Sequence, residues 1–269
     1  MICSLLISTY NWPAALILCL NSVTSQSVLP DEIVIADDGS GKETADAIAQ
    51  FAANTKIPVK HIWQQDEGFQ LARIRNKAIA AASGRYIIQI DGDLILHRHF
   101  IKDHLSFRKT GCFATGSRML LPKAVTEVVF QQKQPGFTSR TQGKNYFNGR
   151  RIPLLHHFLA HRYKTKGRNK YYVKGCNMAF WRKDLLAING YSESFTGWGL
   201  EDTEIAIRLI NAGIQKRFLK LGAICYHLFH KEANREMEAH NKHLVTETIE
   251  KKIVWAPQGV DQYIQEKQK

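Results

Sequence analysis

The sequence has no window of eighteen consecutive apolar residues, so it offers no segment able to span a bilayer as a helix. Its early apolar stretch, residues 14–20, is bounded by Asn11, Pro13 and Asn21. The opening MICSLLIST has no basic n-region and does not read as a targeting segment. The expectation is a soluble or peripheral protein of the cytoplasm. Cysteine is scarce. The five are Cys3, Cys19, Cys112, Cys176 and Cys225, an odd number with no C-x-x-C pair. They read as buried thiols of a reducing compartment, which excludes a disulfide frame and a cysteine zinc site. Internal repeats and linker composition are both missing, which favours one domain with a C-terminal extension. Acid is missing from one long segment. Residues 128–183 hold thirteen Lys or Arg and no Asp or Glu. The chain as a whole has 37 basic and 24 acidic residues, a formal charge of +13, so this segment carries the whole excess.

A local excess of that kind fits a polyanion partner: nucleic acid, an anionic membrane or a phosphorylated ligand. A solvated loop face is the plainer alternative. What remains is ordinary globular composition, 44% hydrophobic and 23% charged over 269 residues. That excludes a disordered or collagen-like chain and is long enough to bury a large core.

The first part of the chain alternates strand and helix. Strands are predicted at 2–7, 32–36, 59–63 and 86–90, and helices at 13–25, 44–53 and 70–82, with Pro13 in the first turn of its helix. This alternation predicts an α/β fold with a mainly parallel, doubly wound sheet. Ligands of such sheets bind beyond the carboxyl ends of the strands. Three polar clusters follow strands here: Thr9-Tyr10-Asn11, Asp37-Asp38-Gly39 and Asp91-Gly92-Asp93. Residues 121–170 read as loops and short helices. Beyond them come a strand at 174–181, a helical turn at 185–188, a helix at 200–212 ending at Gly213, and short strands at 215–219 and 223–226. A charged helix follows Lys231.

Each cluster has a chemistry and a plainer reading. Asp91 and Asp93, one residue apart on a Gly turn, can grip a hard divalent cation such as Mn²⁺ or Mg²⁺. D-G is also common turn chemistry. Asp37 and Asp38 can accept from a base or ribose, or simply cap the helix after them. Arg73 and Asn76, with Arg75 and Lys77, open a helix in a manner suited to a diphosphate, or form an exposed helical face. Glu201 and Asp202 open a helix just after Gly197-Trp198-Gly199. The helix dipole alone favours acids there, yet Trp198 also suits a sugar platform with a carboxylate base beside it. His227 and His230 lie at a strand end, where a histidine with acids nearby is a ligand candidate.

Taken together, these residues resemble a family-2 glycosyltransferase of GT-A fold. The matching stretches are Ile7-Ser8-Thr9-Tyr10-Asn11, Ile35-Ala36-Asp37-Asp38-Gly39-Ser40, Arg75-Asn76-Lys77-Ala78 and Ile90-Asp91-Gly92-Asp93. Gly175-Cys176-Asn177-Met178-Ala179-Phe180, Gly190-Tyr191, Gly197-Trp198-Gly199 and Glu201-Asp202 resemble the later part of galactosyltransferases and chondroitin-type polymerases. The resemblance covers about 2–230. It implies a glycosyltransferase domain at 1–230, with a nucleotide-binding half at 1–120 and an acceptor-binding half at 121–230, and a helical extension at 231–269. It further implies that Thr9, Tyr10 and Asp38, with Asp37 beside them, hold the uracil and ribose of a UDP-sugar. Asp91 and Asp93 match the metal-binding D-x-D, and His227 the third metal ligand, with His230 competing for that role. Asp202 matches the general base, Glu201 orients hydroxyls and Trp198 flanks the sugar. The donor would be a UDP-hexose or UDP-N-acetylhexosamine, and the acceptor a glycan or glycolipid of the cell surface, such as lipopolysaccharide or capsule. The basic segment would meet an anionic membrane surface, at the inner face.

Two rivals stay open. A sugar-nucleotide nucleotidyltransferase shares the sheet and the ion, but it wants a Gly-rich basic loop after the first strand, where Ser8-Thr9-Tyr10-Asn11 stands. A nucleic-acid-binding module fits the charge, predicts salt-sensitive binding and leaves the acidic clusters unexplained. No nucleic acid is expected.

Overall fold

The computed structural model describes residues 2–132, 143–231 and 235–264. Its elements run β1 (Cys3–Thr9), α1 (Pro13–Thr24), β2 (Glu32–Asp37), α2 (Lys42–Asn54), β3 (Val59–Trp63), α3 (Leu71–Ala81) and β4 (Tyr86–Asp91). Next are β5 (Leu94–Leu96), α4 (Phe100–Phe107), β6 (Cys112–Thr115), β7 (Met119–Leu120), α5 (Lys123–Gln132) and α6 (His156–Leu159). The chain continues through β8 (Asn177–Trp181), α7 (Arg182–Ala187), α8 (Glu201–Asn211), β9 (Gln215–Phe218), β10 (Cys225–His227), α9 (Glu238–Glu250) and α10 (Asp261–Ile264).

A seven-stranded sheet in the order β3-β2-β1-β4-β8-β6-β9 forms the centre. Every residue of β1 and β2 is buried, as expected of strands covered on both faces. Alternation along β1 divides the core. Leu5 and Ile7 join α1, α2 and α4 in one cluster, while Leu6 points to α3, α7 and α8 on the other side. This is the doubly wound arrangement, with helices over both faces.

The sheet departs from a purely parallel one at β8, which runs antiparallel to both β4 and β6. The chain reaches β8 from a long excursion over the sheet edge and so enters from the opposite end. A second sheet, β5-β10-β7, stands beside the first. No element was expected over 94–120, which holds β5, α4, β6 and β7. These strands are two to four residues long and α4 has eight, too short for a periodic pattern to declare itself. The stretch expected as loops and short helices contains α5, a ten-residue helix. Part of the basic segment, including Lys133 and Arg140, lies outside the described residues. The C-terminal stretch folds back onto the sheet, with Val260 buried against α3 and α8.

Arg208 locks the face under α8. It is fully buried, bonds both carboxylate oxygens of Glu204, and donates to the carbonyls of Ile188 and Gly190 at 2.7 Å each. Arg208→Ala leaves Glu204 charged and unpaired in the core. The expected loss is about 3–5 kcal/mol in a denaturant titration; a loss below about 1 kcal/mol would show that Glu204 finds another partner or a proton.

Candidate active site

The carboxyl ends of β1, β2 and β4 bring the predicted clusters to one edge. Asn11, with φ at 44°, joins two of them: its side-chain oxygen accepts from Gly41 N–H and its own N–H donates to Ser40 Oγ. Thr9 is nearly buried, and its carbonyl accepts from Asp38 N–H. Tyr10 is half exposed at the rim and donates to Asp66. Asp38 accepts from Gln64 Nε2 at 2.6 Å and from Gln70 N–H at 2.9 Å. Burial pushes its carboxyl up, to about 6, against those hydrogen bonds. Asp37 is fully buried. One of its oxygens takes Ser40 N–H and the other lies 2.8 Å from His61 Nε2, so it shapes the loop from within.

The helix-opening basic cluster resolves into different jobs. Arg73 turns to Glu67 at 2.7 Å. Asn76 is fully buried, bonded to Tyr191 through both its amide nitrogen and its oxygen and to Glu193, and therefore braces the Gly190-Tyr191 loop away from any ligand. Arg75, one helical step away, points into the site. Its guanidinium reaches Asp91 at 3.1 Å, Asp202 at 2.9 Å, Glu201 at 3.3 Å and Ser8 Oγ at 3.1 Å, and lies over the Tyr191 ring. Burial disfavours its charge, but Asp202 and the other acids outweigh burial and hold it protonated.

Glu201 and Asp202 start α8 behind a strained turn, Leu200 at φ 76°. Asp202 is the more exposed carboxylate, 20% against 9%. Burial, then the Asp202 charge, pushes the Glu201 carboxyl well above the ordinary range. Gly175 lets the pair approach, since a Cβ there would lie 1.5 Å from Asp202 Oδ2. Trp198 is 38% exposed, with the Arg235 guanidinium over its ring.

Asp93 lies on the turn between β4 and β5, and β10 runs beside β5 in the register His227 to Leu94. Leu228 N–H donates to the Asp93 carbonyl, so strand pairing itself carries the histidines to the acid. His227 Nε2 and His230 Nε2 lie 3.3 and 3.2 Å from the same oxygen, Asp93 Oδ2. Each ring faces a backbone carbonyl with Nδ1, Leu228 at 2.9 Å and Lys231 at 2.7 Å. A ring that donates from Nδ1 offers a lone pair at Nε2. Two such lone pairs aimed at a carboxylate require a proton or a metal cation between them. Burial lowers His227, and the bond to Asp93 raises His230. Asp93 Oδ1 is buried with no hydrogen-bond partner. The three residues fit a divalent ion, with the outer carbonyls fixing both rings. Both histidines therefore reach Asp93, where only one of them was expected as the third ligand, whereas Asp91 is tied to Arg75.

Arg118 was not anticipated. It follows β6, in the stretch with no readable pattern, and it adds a second cation near Asp91 and Asp93. His61 and Gln64 were also missed, because each acts through a partner distant in sequence, and Tyr191, quoted only within a matching stretch, was given no role.

Residues 4–186 match the profile of glycosyl transferase family 2, and residues 156–231 match one described as the N-terminal domain of galactosyltransferase. The chain belongs to glycosyl transferase family 2. It is 23% identical over 271 residues to chondroitin synthase of Escherichia coli, covering 93% of this chain and 38% of that protein. To validoxylamine A glucosyltransferase of Streptomyces hygroscopicus subsp. limoneus it is 25% identical, covering 78% and 48%. The chain thus spans less than half the length of both. Among solved structures, S. aureus TarS 1–349 in complex with UDP-GlcNAc superposes with a TM-score of 0.63 at 16% identity, covering 99% of this chain and 71% of that one. The mannosyltransferase PcManGT from Pyrobaculum calidifontis, in complex with GDP-Man and Mn²⁺, gives 0.59 at 16%, covering 86% and 57%. These likenesses establish the fold as GT-A.

Removing either imidazole strips a ligand from the Asp93 cluster. In a Mn²⁺ titration, His227→Ala and His230→Ala are each expected to weaken binding by at least about tenfold. His227 should show the larger loss, being 12% exposed against 41%. Unaltered Mn²⁺ affinity in both variants would remove the histidines from the site.

Proposed function

We propose that this glycosyltransferase transfers a hexose or N-acetylhexosamine from a UDP-sugar to a hydroxyl of a surface glycan, with inversion and with a divalent metal. The observation that carries this reading is the meeting of two acidic groups across one guanidinium. Arg75 holds Asp91 of the β4 turn on one side and Asp202 of α8 on the other. The first group adjoins the Asp93, His227 and His230 cluster; the second offers an exposed carboxylate.

Asp93, His227 and His230 would hold Mn²⁺ or Mg²⁺, which supplies positive charge to the diphosphate when bound. Arg75 and Arg118 add fixed cations where the leaving UDP gathers charge. Asp38, with Thr9 and Tyr10, would hold the uracil and ribose, and Trp198 would flank the sugar. Asp202 accepts the proton of the acceptor hydroxyl as that oxygen attacks the anomeric carbon. Glu201, keeping its proton, donates a hydrogen bond that orients a hydroxyl. One displacement with one base inverts the centre, and UDP leaves without needing a protonated oxygen.

The support for a glycan acceptor is the likeness to chondroitin synthase, and for a uridine donor the likeness to TarS with UDP-GlcNAc. We assign 1–120 to the nucleotide, 121–230 to the acceptor and 231–269 to a helical extension. No helix among the described residues is long and apolar enough to cross a membrane. The reading therefore has a cytoplasmic enzyme held at the anionic inner membrane face through its basic segment, toward a lipopolysaccharide, capsule or other glycolipid acceptor.

Asp202→Asn separates chemistry from binding. It keeps the shape and an acceptor oxygen for Arg75 but removes the base. Transfer is expected to fall by about 10²–10⁴-fold, measured as UDP release across donor sugars with Mn²⁺ or Mg²⁺, while donor Kd and Tm stay close to wild type. A loss confined to donor affinity would make Asp202 a binding residue. Silence of the wild-type enzyme with every UDP-sugar, together with no UDP binding by calorimetry, would overturn the donor assignment.

A further inference from the structure

The described basic segment carries more than charge. Seventeen large apolar side chains are exposed among the described residues, and six of them fall within 146–158: Tyr146, Phe147, Ile152, Leu154, Leu155 and Phe158. Leu154 is 92% exposed. A 3₁₀ turn, Pro153–Leu155, runs directly into α6, so Leu154 and Phe158 stand one turn apart on the same side. The segment is firmly seated. Asn148 accepts from Lys220 Nζ, Ile152 N–H donates to the Leu221 carbonyl, and buried His156 bonds the same carbonyl through Nε2, so three points of the segment rest on one turn after β9. With His156 turned inward, its neighbours Leu154, Leu155 and Phe158 are left exposed.

Each exposed aromatic carries an arginine. The Arg162 guanidinium lies 4.3 Å from the Phe158 ring centroid, and that of Arg150 lies 5.0 Å from Phe147, whose ring packs on Tyr146. Apolar tips framed by cations form the pattern of a surface that meets lipid at headgroup depth. We propose that residues 146–158 form a wedge that enters the headgroup layer of an anionic bilayer, its apolar side chains inserted and its arginines on lipid phosphates. This deepens the membrane reading above and rests on it: attachment is by insertion as well as by charge. Charge complementarity selects the occupant. With no acid across 128–183, a second copy would bring like charge against like. A nucleic acid would match the cations but leave Leu154 and Phe158 in water. The position also serves the chemistry, because Asn148 Nδ2 donates to the carbonyl of Arg118, the cation beside Asp91 and Asp93. A lipid-borne acceptor would arrive at the rim of the site.

The test is sedimentation of the full chain with vesicles of equal parts phosphatidylcholine and phosphatidylglycerol as salt is raised. The expected result is binding that salt weakens without abolishing. Leu154→Asp, alone and with Phe158→Asp, should lower the partition coefficient by at least about tenfold at unchanged Tm and UDP affinity. Arg150→Gln with Arg162→Gln should remove most of the salt-sensitive part. Equal binding by Leu154→Asp and its double variant, or complete release by salt, would overturn insertion while leaving electrostatic attachment standing. No binding to vesicles would overturn both. A drop in lipid-free mass by light scattering in Leu154→Asp would make the face a protein interface instead and overturn the proposal. Sedimentation needs neither donor nor metal, so none of these outcomes bears on the transfer chemistry.

Discussion

The guanidinium of Arg75 is the interaction on which the rest of the site depends. It is 1% exposed and meets three carboxylates from two distant parts of the chain. One cation among three acids leaves excess negative charge, and burial with the neighbouring Asp202 raises the Glu201 carboxyl. A buried arrangement of that kind is expensive unless every partner is satisfied. Here Ser8 Oγ accepts from Nε and the Tyr191 ring covers the guanidinium face. Arg75 keeps the acids from repelling the helix α8 away from the strands.

The second constraint is the small sheet. β10 pairs with β5 and β7, and this pairing carries His227 and His230 to Asp93. Strand register is specified to the residue, because a slip by one reverses every side chain. Position His227 opposite Leu94 and the imidazole comes to the acid; the backbone carbonyls of Leu228 and Lys231 then set both rings. Trp12 closes the outside of this cluster, its ring edge-on to His230. The site is therefore built by the backbone first and finished by side-chain hydrogen bonds.

The outer face follows a different logic. Among the described residues of 128–183, several cations lie over aromatic rings or donate to backbone carbonyls. Lys164 sits over Tyr172, Arg150 over Phe147 and Arg162 over Phe158. Arg151 is the exception, bonded bidentately to buried Asp103, and it ties the segment to the core. Such pairings leave the positive charge uncancelled at the surface, where it acts on whatever approaches. A compact acidic site and a basic apolar surface thus coexist in one chain without neutralising each other.

The alternation of buried runs with amphipathic helices was legible in sequence through β4, because a strand covered on both faces must be apolar at every position, and each cluster after such a strand must reach the same edge. Asp38 and Asp93 were legible for that reason; Asp202, at a helix start, and the two histidines, at a short strand end, were singled out mainly through the resemblance of their ordered motifs. The family assignment needed no coordinates. The antiparallel insertion of β8, the sheet β5-β10-β7 and the helices α4 and α5 were not legible, since short elements derive their stability from partners far along the chain rather than from local pattern. The same limit separated Arg75 from Arg73 and Asn76. All three sit in one helical turn with suitable chemistry, and only packing against α8 and the Tyr191 loop decides which side chain faces the acids and which is buried as a brace. Sequence by itself determined the family and which acidic clusters gather at the carboxyl edge of the sheet; tertiary structure decided which atoms meet, because burial and strand register act between residues that the chain keeps more than a hundred positions apart.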